Sequence, residues 1–425
     1  MIYPTWNPFS RYADLLEKKL DKILRKVAFL GVFEAQRLIV DLMQKNLVVV
    51  NLWLEARFKG YKHLGRGKRR KMYRNAESIV TAFLAFCAAN PINMDKVTAR
   101  VNDLGLSVPG MPGDDQKLIF LTQIMEFLRP NAGRFVYLEG ASFGKLLTDP
   151  LKKEKMVGDC NQVVTFYVFL YAQKFPIQDL NIKLLPGHVC LHFKGIDIEA
   201  TAGSFANYKK DGQVLPIGEL ISTNLLDVSD YRDKQIRVDS REFLKAAHLA
   251  YNLSSDRELV TKNLRIAYQN VAIESLKALE FDNAIFFLEK AGLTTPDEVQ
   301  ILQTVYHNAV LYHVKNKSFQ KARSYAGKSS ETELQRYIDE QEAVYCYEHD
   351  NLGKARELFA KIGNEQMVKA CYSKEYNTLQ SKVAGLRELA SMRAHKSDYR
   401  KMLDLAHKMG DQGLVDNLQK LLGQL

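Results

Sequence analysis

The sequence predicts an α+β fold in three parts: a helical N-terminal region (1–75), a central domain with an antiparallel sheet (76–255) and a C-terminal all-α repeat solenoid (256–425). Three observations predict it. From Arg11 to Ala56 apolar residues recur at three- and four-residue spacing, the period of an amphipathic helix. Between Gly158 and Thr201 a continuous apolar run gives way to strict alternation, the period of a strand. Beyond Asp256 the chain reads as unbroken helix in which one phrase recurs, as Phe281-Asp-Asn-Ala284, Phe319-Gln-Lys-Ala322 and Leu352-Gly-Lys-Ala355.

Composition bounds the function. A chain of 425 residues makes two or three domains, each able to bury a core, and 46% hydrophobic with 26% charged residues is ordinary for a globular protein. The five cysteines, Cys87, Cys160, Cys190, Cys346 and Cys371, are scattered and form no Cys-x-x-Cys pair, which fits a reducing compartment and gives no zinc signature. Met1 to Ser10 lacks the features of a signal peptide, and no uncharged apolar run is long enough for an integral membrane segment, so the expected location is cytoplasmic. No cofactor and no metal is expected. The net charge of +11 is concentrated: residues 1–75 hold 17 Lys and Arg against 6 Asp and Glu, and the remainder is balanced at 43 of each.

Taken in order, Leu15, Leu16, Ile23, Leu24, Val27, Leu30, Phe33, Leu38 and Leu42 mark the inner face of one or two helices. Leu47 to Leu54 is β-branched, and periodicity leaves it as strand or buried helix. Arg57 to Arg74 is rich in Lys and Arg, with Phe58, Tyr61 and Tyr73 interleaved, a composition that suits nucleic acid, an acidic partner or a membrane surface as well as a solvated basic loop or helix face. Helices are expected at Ser78–Ala89, Met94–Leu104 and Lys117–Leu128, with Pro91 and Pro130 as stops and a Pro-Gly loop at Ser107–Asp115. Ile217–Ser222 and Ser240–Asn252 read as helices, and Leu226–Val238 as the place of an added strand.

The chemistry lies between Gly158 and Thr201. Asp159 is an N-cap for an apolar helix that begins at Cys160, and a thiol there sits at the positive end of the backbone dipoles. His188 opens a strand that turns back at Lys194-Gly195. A two-residue turn pairs Phe193 with Ile196, His192 with Asp197 and Cys190 with Glu199. Val189, Leu191, Phe193, Ile196, Ile198 and Ala200 then share one face, and His188, Cys190, His192, Asp197, Glu199 and Thr201 the other. Glu199 lies diagonal to His188, and Asp197 is opposite His192. Cysteine, histidine and carboxylate make a nucleophile, base and orienter set.

This stretch resembles the transglutaminase-like branch of the papain-like cysteine enzymes. Gly158-Asp159-Cys160 matches its Gly-x-Cys, His188 its strand histidine, and Glu199-Ala200-Thr201 stands where the family has Asp-Pro-Thr. The resemblance implies catalysis by Cys160, His188 and Glu199, with Asp197 as reserve acid and the Cys160 backbone N–H as oxyanion donor. The implied activity is acyl transfer: hydrolysis of a peptide or amide, as in a protease or amidase, or transamidation. Glutamate for aspartate, alanine for proline and Cys190 in an often aromatic position are departures, and the alternative is an inactive scaffold or adaptor that binds protein or nucleic acid. The C-terminal phrases place Ala284, Ala322 and Ala355 in a small slot, with Tyr268 and Tyr306 in an aromatic one. That pattern resembles the tetratricopeptide repeat, which implies a protein or peptide ligand on the repeat domain.

Overall fold

The computed structural model describes residues 10–61, 63–129, 134–140, 142–147, 155–209, 211–227 and 240–425. The chain divides into two compact units, Met1–Glu274 and Ser275–Leu425. The first is a mixed α+β body with a five-stranded antiparallel sheet, and the second is helical.

The first unit opens with α1 (Leu15–Leu24), capped by the Asp14 side chain, which accepts from the Leu16 amide at 2.7 Å. A 3₁₀ turn at Val27–Phe29 leads into α2 (Val32–Arg57). That turn resets the helical frame, so Ala35, Ile39, Leu42 and Met43 face inward, whereas Phe33, expected on the buried face, is 85% exposed. At Asn46 the backbone leaves helical geometry (φ −168°, ψ 94°), and the Asn46 side chain caps the second half by accepting from the Val49 amide at 3.1 Å. The ambiguous stretch Leu47–Leu54 is therefore helix. It is buried all round, and packing outweighs the β-branched preference of its valines.

The basic segment Arg57–Arg74 closes α2 and starts α3 (Arg66–Ala89), and much of it is turned inward. Tyr61 and Tyr73 are buried. Arg69 Nε donates to Glu17 Oε1 at 2.8 Å, Arg69 Nη1 to the Leu64 carbonyl at 2.7 Å, and the Tyr73 hydroxyl to Glu17 Oε1 at 2.5 Å. This buried set ties α1 to α3, and removing one charge of such a pair costs about 3–5 kcal/mol. Lys68, Lys71 and Arg74 remain exposed.

Next come α4 (Met94–Asn102) and α5 (Asp114–Leu128). Strands β1 (Phe135–Tyr137) and β2 (Met156–Gly158) pair in parallel, with α6 (Phe143–Leu146) between them in sequence. β2 feeds α7 (Cys160–Tyr171), the central helix, whose residues from Gln162 on are all buried. The sheet contains β3 (Asn181–Leu185), β4 (His188–Phe193), β5 (Ile196–Glu199), β6 (Ser204–Ala206) and β7 (Gln213–Pro216), in the order β6-β5-β4-β3-β7. Then follow α8 (Glu219–Leu226), α9 (Ser240–Leu253) and α10 (Arg257–Lys277), which crosses the division between the units. The strand expected within Leu226–Val238 falls mostly outside the described residues, and Leu226 itself ends α8.

The β4–β5 ladder pairs Leu191 with Ile198, His192 with Asp197 and Phe193 with Ile196, the register that a two-residue turn requires. Lys194 (φ 46°) and Gly195 (φ 92°) both take positive φ, as a type I′ turn demands. Lys194 is a strained residue there, and its ammonium is held by both Asp114 oxygens at 2.8 Å at the start of α5. The apolar face of the hairpin joins the same core as α7.

In the second unit the recurring phrases open α11 (Phe281–Ala291), α13 (Phe319–Ala326) and α15 (Leu352–Lys361). They alternate with α12 (Pro296–Lys315), α14 (Glu333–Glu348) and α16 (Glu365–Val383), and α17 (Leu389–Ala394), α18 (Lys396–Met409) and α19 (Gln412–Gln424) complete the unit. Ala284, Ala322 and Ala355 are fully buried where neighbouring helices meet. Asp339 of α14 receives Arg323 from α13 at 2.6 Å and Lys361 from α15 at 2.7 Å, which locks three helices together.

Two glycines separate conformational from steric cost. Around Gly195 nothing lies within 4 Å of an added Cβ, whereas at Gly212 (φ 83°) it would meet the Leu184 carbonyl oxygen at 2.4 Å where β7 joins β3. Gly195→Ala should lower unfolding free energy by about 1 kcal/mol, and Gly212→Ala by more than about 2 kcal/mol. Urea denaturation measures both, and equal losses would contradict this account.

Candidate active site

Gly158 ends β2 in a tight position, where an added Cβ would lie 3.1 Å from the Leu146 side chain and 3.2 Å from that of Gln162, so a neighbour would have to shift. The Leu138 amide donates to the Gly158 carbonyl at 2.9 Å, holding the end of β2 against the end of β1. Asp159 then caps α7, its carboxylate accepting from the Gln162 amide at 3.2 Å. Cys160 is thus the first helical residue, half-buried, at the positive end of the α7 backbone dipoles. Next to it, Asn161 donates to Asp227 at 2.8 Å and Thr165 to the Asn161 carbonyl at 2.7 Å, fixing the first turn of the helix.

His188 enters β4 directly after the Pro186-Gly187 turn that joins it to β3. Its Nε2 lies 2.7 Å from Glu199 Oε2. The Cys160 thiol stands close enough to the same imidazole to be the largest influence on it, while Nε2 is engaged by the carboxylate. The structure thereby brings Cys160, His188 and Glu199 together. The His188 side chain is 27% exposed and that of Glu199 9%, so the imidazole reaches solvent while the acid lies beneath it.

Glu199 is held by more than the histidine. The Thr201 amide donates to Oε1 at 3.1 Å, the Thr201 hydroxyl donates to the same oxygen, and the Tyr208 hydroxyl donates to Oε2 at 2.8 Å. Burial alone would raise the carboxyl, but the hydrogen bonds from His188, Thr201 and Tyr208, with the imidazolium charge, bring it down from 4.5 to about 2. His188 moves the other way, from 6.5 to about 10, through its hydrogen bonds to Cys160 and then to Glu199, with burial opposing.

Asp197 does not reach His188. It accepts from Lys183 at 2.9 Å and the Tyr208 amide at 2.8 Å, and lies 2.7 Å from His192 Nδ1. The Gly195 amide donates to His192 Nε2 at 3.1 Å, so the proton of this imidazole is on Nδ1, facing Asp197. His192 and Asp197 therefore brace the turn. Cys190, between the two histidines, is fully buried, and burial with the nearby Asp197 and Glu199 charges pushes its thiol up to about 12. Burial pushes Cys87 up to about 11 and raises Cys346 and Cys371, so all three favour the thiol form.

Lys183 and Tyr208 were not expected at the site. Tyr137, which pairs with Gly158 across β1 and β2, also stands close enough for burial and the Cys160 charge to raise its hydroxyl. Two surface clefts, of about 560 Å³ between α1, α2 and α3 and about 650 Å³ beside β7, are lined by neither Cys160 nor His188. Among the described residues no group of His, Cys, Asp and Glu is arranged to hold a metal ion, and no helix is long and apolar enough to cross a membrane.

A raised imidazole adds stability that is fully present below pH 6.5 and is lost as pH climbs through about 10. A depressed carboxylate adds stability present above 4.5 and lost as pH falls towards 2. Glu199→Gln should remove the acid-side loss between pH 4.5 and 2. It should also lower the His188 midpoint from about 10 while leaving it above 6.5, because Cys160 is the larger cause. NMR titration of the His188 ring and urea unfolding across pH test this. An unmoved midpoint would exclude coupling between the two groups.

No family model matches the chain, and it has no match among the curated proteins or the solved structures.

Proposed function

We propose that the first unit is a cysteine-dependent acyl-transfer enzyme with a transglutaminase-like core, and that the second is a tetratricopeptide-like array that carries a protein or peptide ligand. One observation supports the catalytic reading above the others: a cysteine at a helix start shares His188 with a carboxylate that three further donor groups hold ionised. A buried structural cysteine needs no such partners, and Cys190 on the same hairpin has none of them.

In the reaction, the Cys160 thiol gives its proton to His188 and the sulfur attacks a peptide or side-chain amide carbonyl. The C=O electron pair moves onto oxygen, stabilised by the Cys160 backbone N–H. The imidazolium, kept charged and oriented by Glu199, returns the proton to the departing amine as the C–N bond breaks, leaving a thioester. Water or a second amine then attacks the thioester, His188 takes the incoming proton, and the thiol is regenerated. Hydrolysis and transamidation differ only in that second nucleophile.

A chloroacetamide-capped peptide tests the reading without knowledge of the natural substrate. It should alkylate Cys160 in preference to the other four cysteines. Cys160→Ala should abolish that adduct, and His188→Ala should slow it by about 10²-fold or more. Peptide mass mapping reads both, and preferential labelling of another cysteine, or an unchanged rate without His188, would remove the proposal.

A further inference from the structure

The corner joining α1 to α2 reads Val27-Ala-Phe-Leu-Gly-Val-Phe33, seven residues without a polar side chain. Val27 is buried and anchors the corner, whereas Phe29 and Phe33 are 88% and 85% exposed, the most exposed large apolar side chains among the described residues. Single exposed leucines need no explanation, but two bare phenylalanines four residues apart at a helix corner mark an interaction surface.

Cations flank the corner on both sides. Lys22, Arg25 and Lys26 precede it on the last turn of α1 and just beyond, and Arg37 lies one helical turn past Phe33; all four are exposed. Arg25 shares Asp21 with Arg11, while Lys22, Lys26 and Arg37 have no ion-pair partner among the described residues. Glu34 is the only acid between Lys22 and Arg37. The charge therefore brackets a purely apolar tip.

We infer that this corner docks on the surface of an anionic lipid bilayer. Phe29 and Phe33 enter the boundary between headgroups and acyl chains, and Lys22, Arg25, Lys26 and Arg37 lie at the level of the lipid phosphates. Bare phenyl rings bracketed by cations match that layered environment. Binding of single-stranded nucleic acid uses rings set along a cationic groove, whereas the interleaved Tyr61 and Tyr73 of the basic segment are buried. The positive excess of residues 1–75 adds long-range attraction in the same direction. Nothing in this inference depends on the chemistry at Cys160.

Sedimentation of the full chain with vesicles of phosphatidylcholine and phosphatidylserine at about three to one tests it. The protein should sediment with these vesicles and not with phosphatidylcholine alone, and binding should weaken several-fold as salt rises from about 0.1 to 0.5 M. Phe29→Ser with Phe33→Ser should weaken binding by about tenfold or more at an unchanged melting temperature. Lys22→Glu with Lys26→Glu should do the same through charge, and Cys160→Ala should bind like the parent, which separates this inference from the proposed catalysis. Failure of the parent to sediment with the anionic vesicles would overturn it. So would full binding by the double serine variant, or retention of a single-stranded oligonucleotide that the same substitutions abolish while vesicles stay unbound.

Discussion

A turn of two residues decides what the hairpin can do. With Lys194 and Gly195 both at positive φ, β4 and β5 pair in the one register that puts every apolar side chain against α7 and every polar one on the opposite face. One residue more or less would move Glu199 into the core and Ile198 to the histidine, because side chains alternate with a period of two. The Lys194–Asp114 contact holds a non-glycine residue in that turn, so the start of α5 secures the geometry on which Glu199 and His188 depend.

Below that face lie two polar sets joined by one residue. Lys183, Asp197 and His192 brace the turn, and Tyr208, Thr201, Glu199 and His188 lead to the sulfur. Tyr208 belongs to both, its amide on Asp197 and its hydroxyl on Glu199. The two carboxylates thus have different work despite being two residues apart: one holds the backbone in place and the other holds an imidazole. Multiple donors keep each ionised in a site that burial would otherwise neutralise.

Much of this was legible because it was written in local periodicity. The hairpin register, the cap at Asp159 and the helix after Cys160 follow from alternation and from residue types at helix starts. Lys183 and Tyr208 were not legible. A lysine in Asn181–Leu185 reads as a solvent-facing residue, and its burial depends on Asp197 across the sheet and the Lys209 carbonyl, both distant in sequence. Tyr208 sits in a polar stretch between β6 and β7, where nothing local says which acid its hydroxyl will reach. Phe33 failed for the opposite reason: its spacing fits the helical period of α1, but the 3₁₀ turn breaks the frame before it arrives.

The break at Asn46 has a mechanical consequence. A continuous helix transmits its direction through its own backbone ladder, so that one end dictates where the other points. Here that line is cut, and the orientation of the Val32–Lys45 half is left to the packing of Ala35, Ile39, Leu42 and Met43 and to the hydrogen bonds of Gln36 with Glu219 and of Gln44 with Ala172 and Ile177. The aim of the phenylalanine-bearing end is thus governed by side-chain contacts of its own half and not by the backbone beyond Asn46.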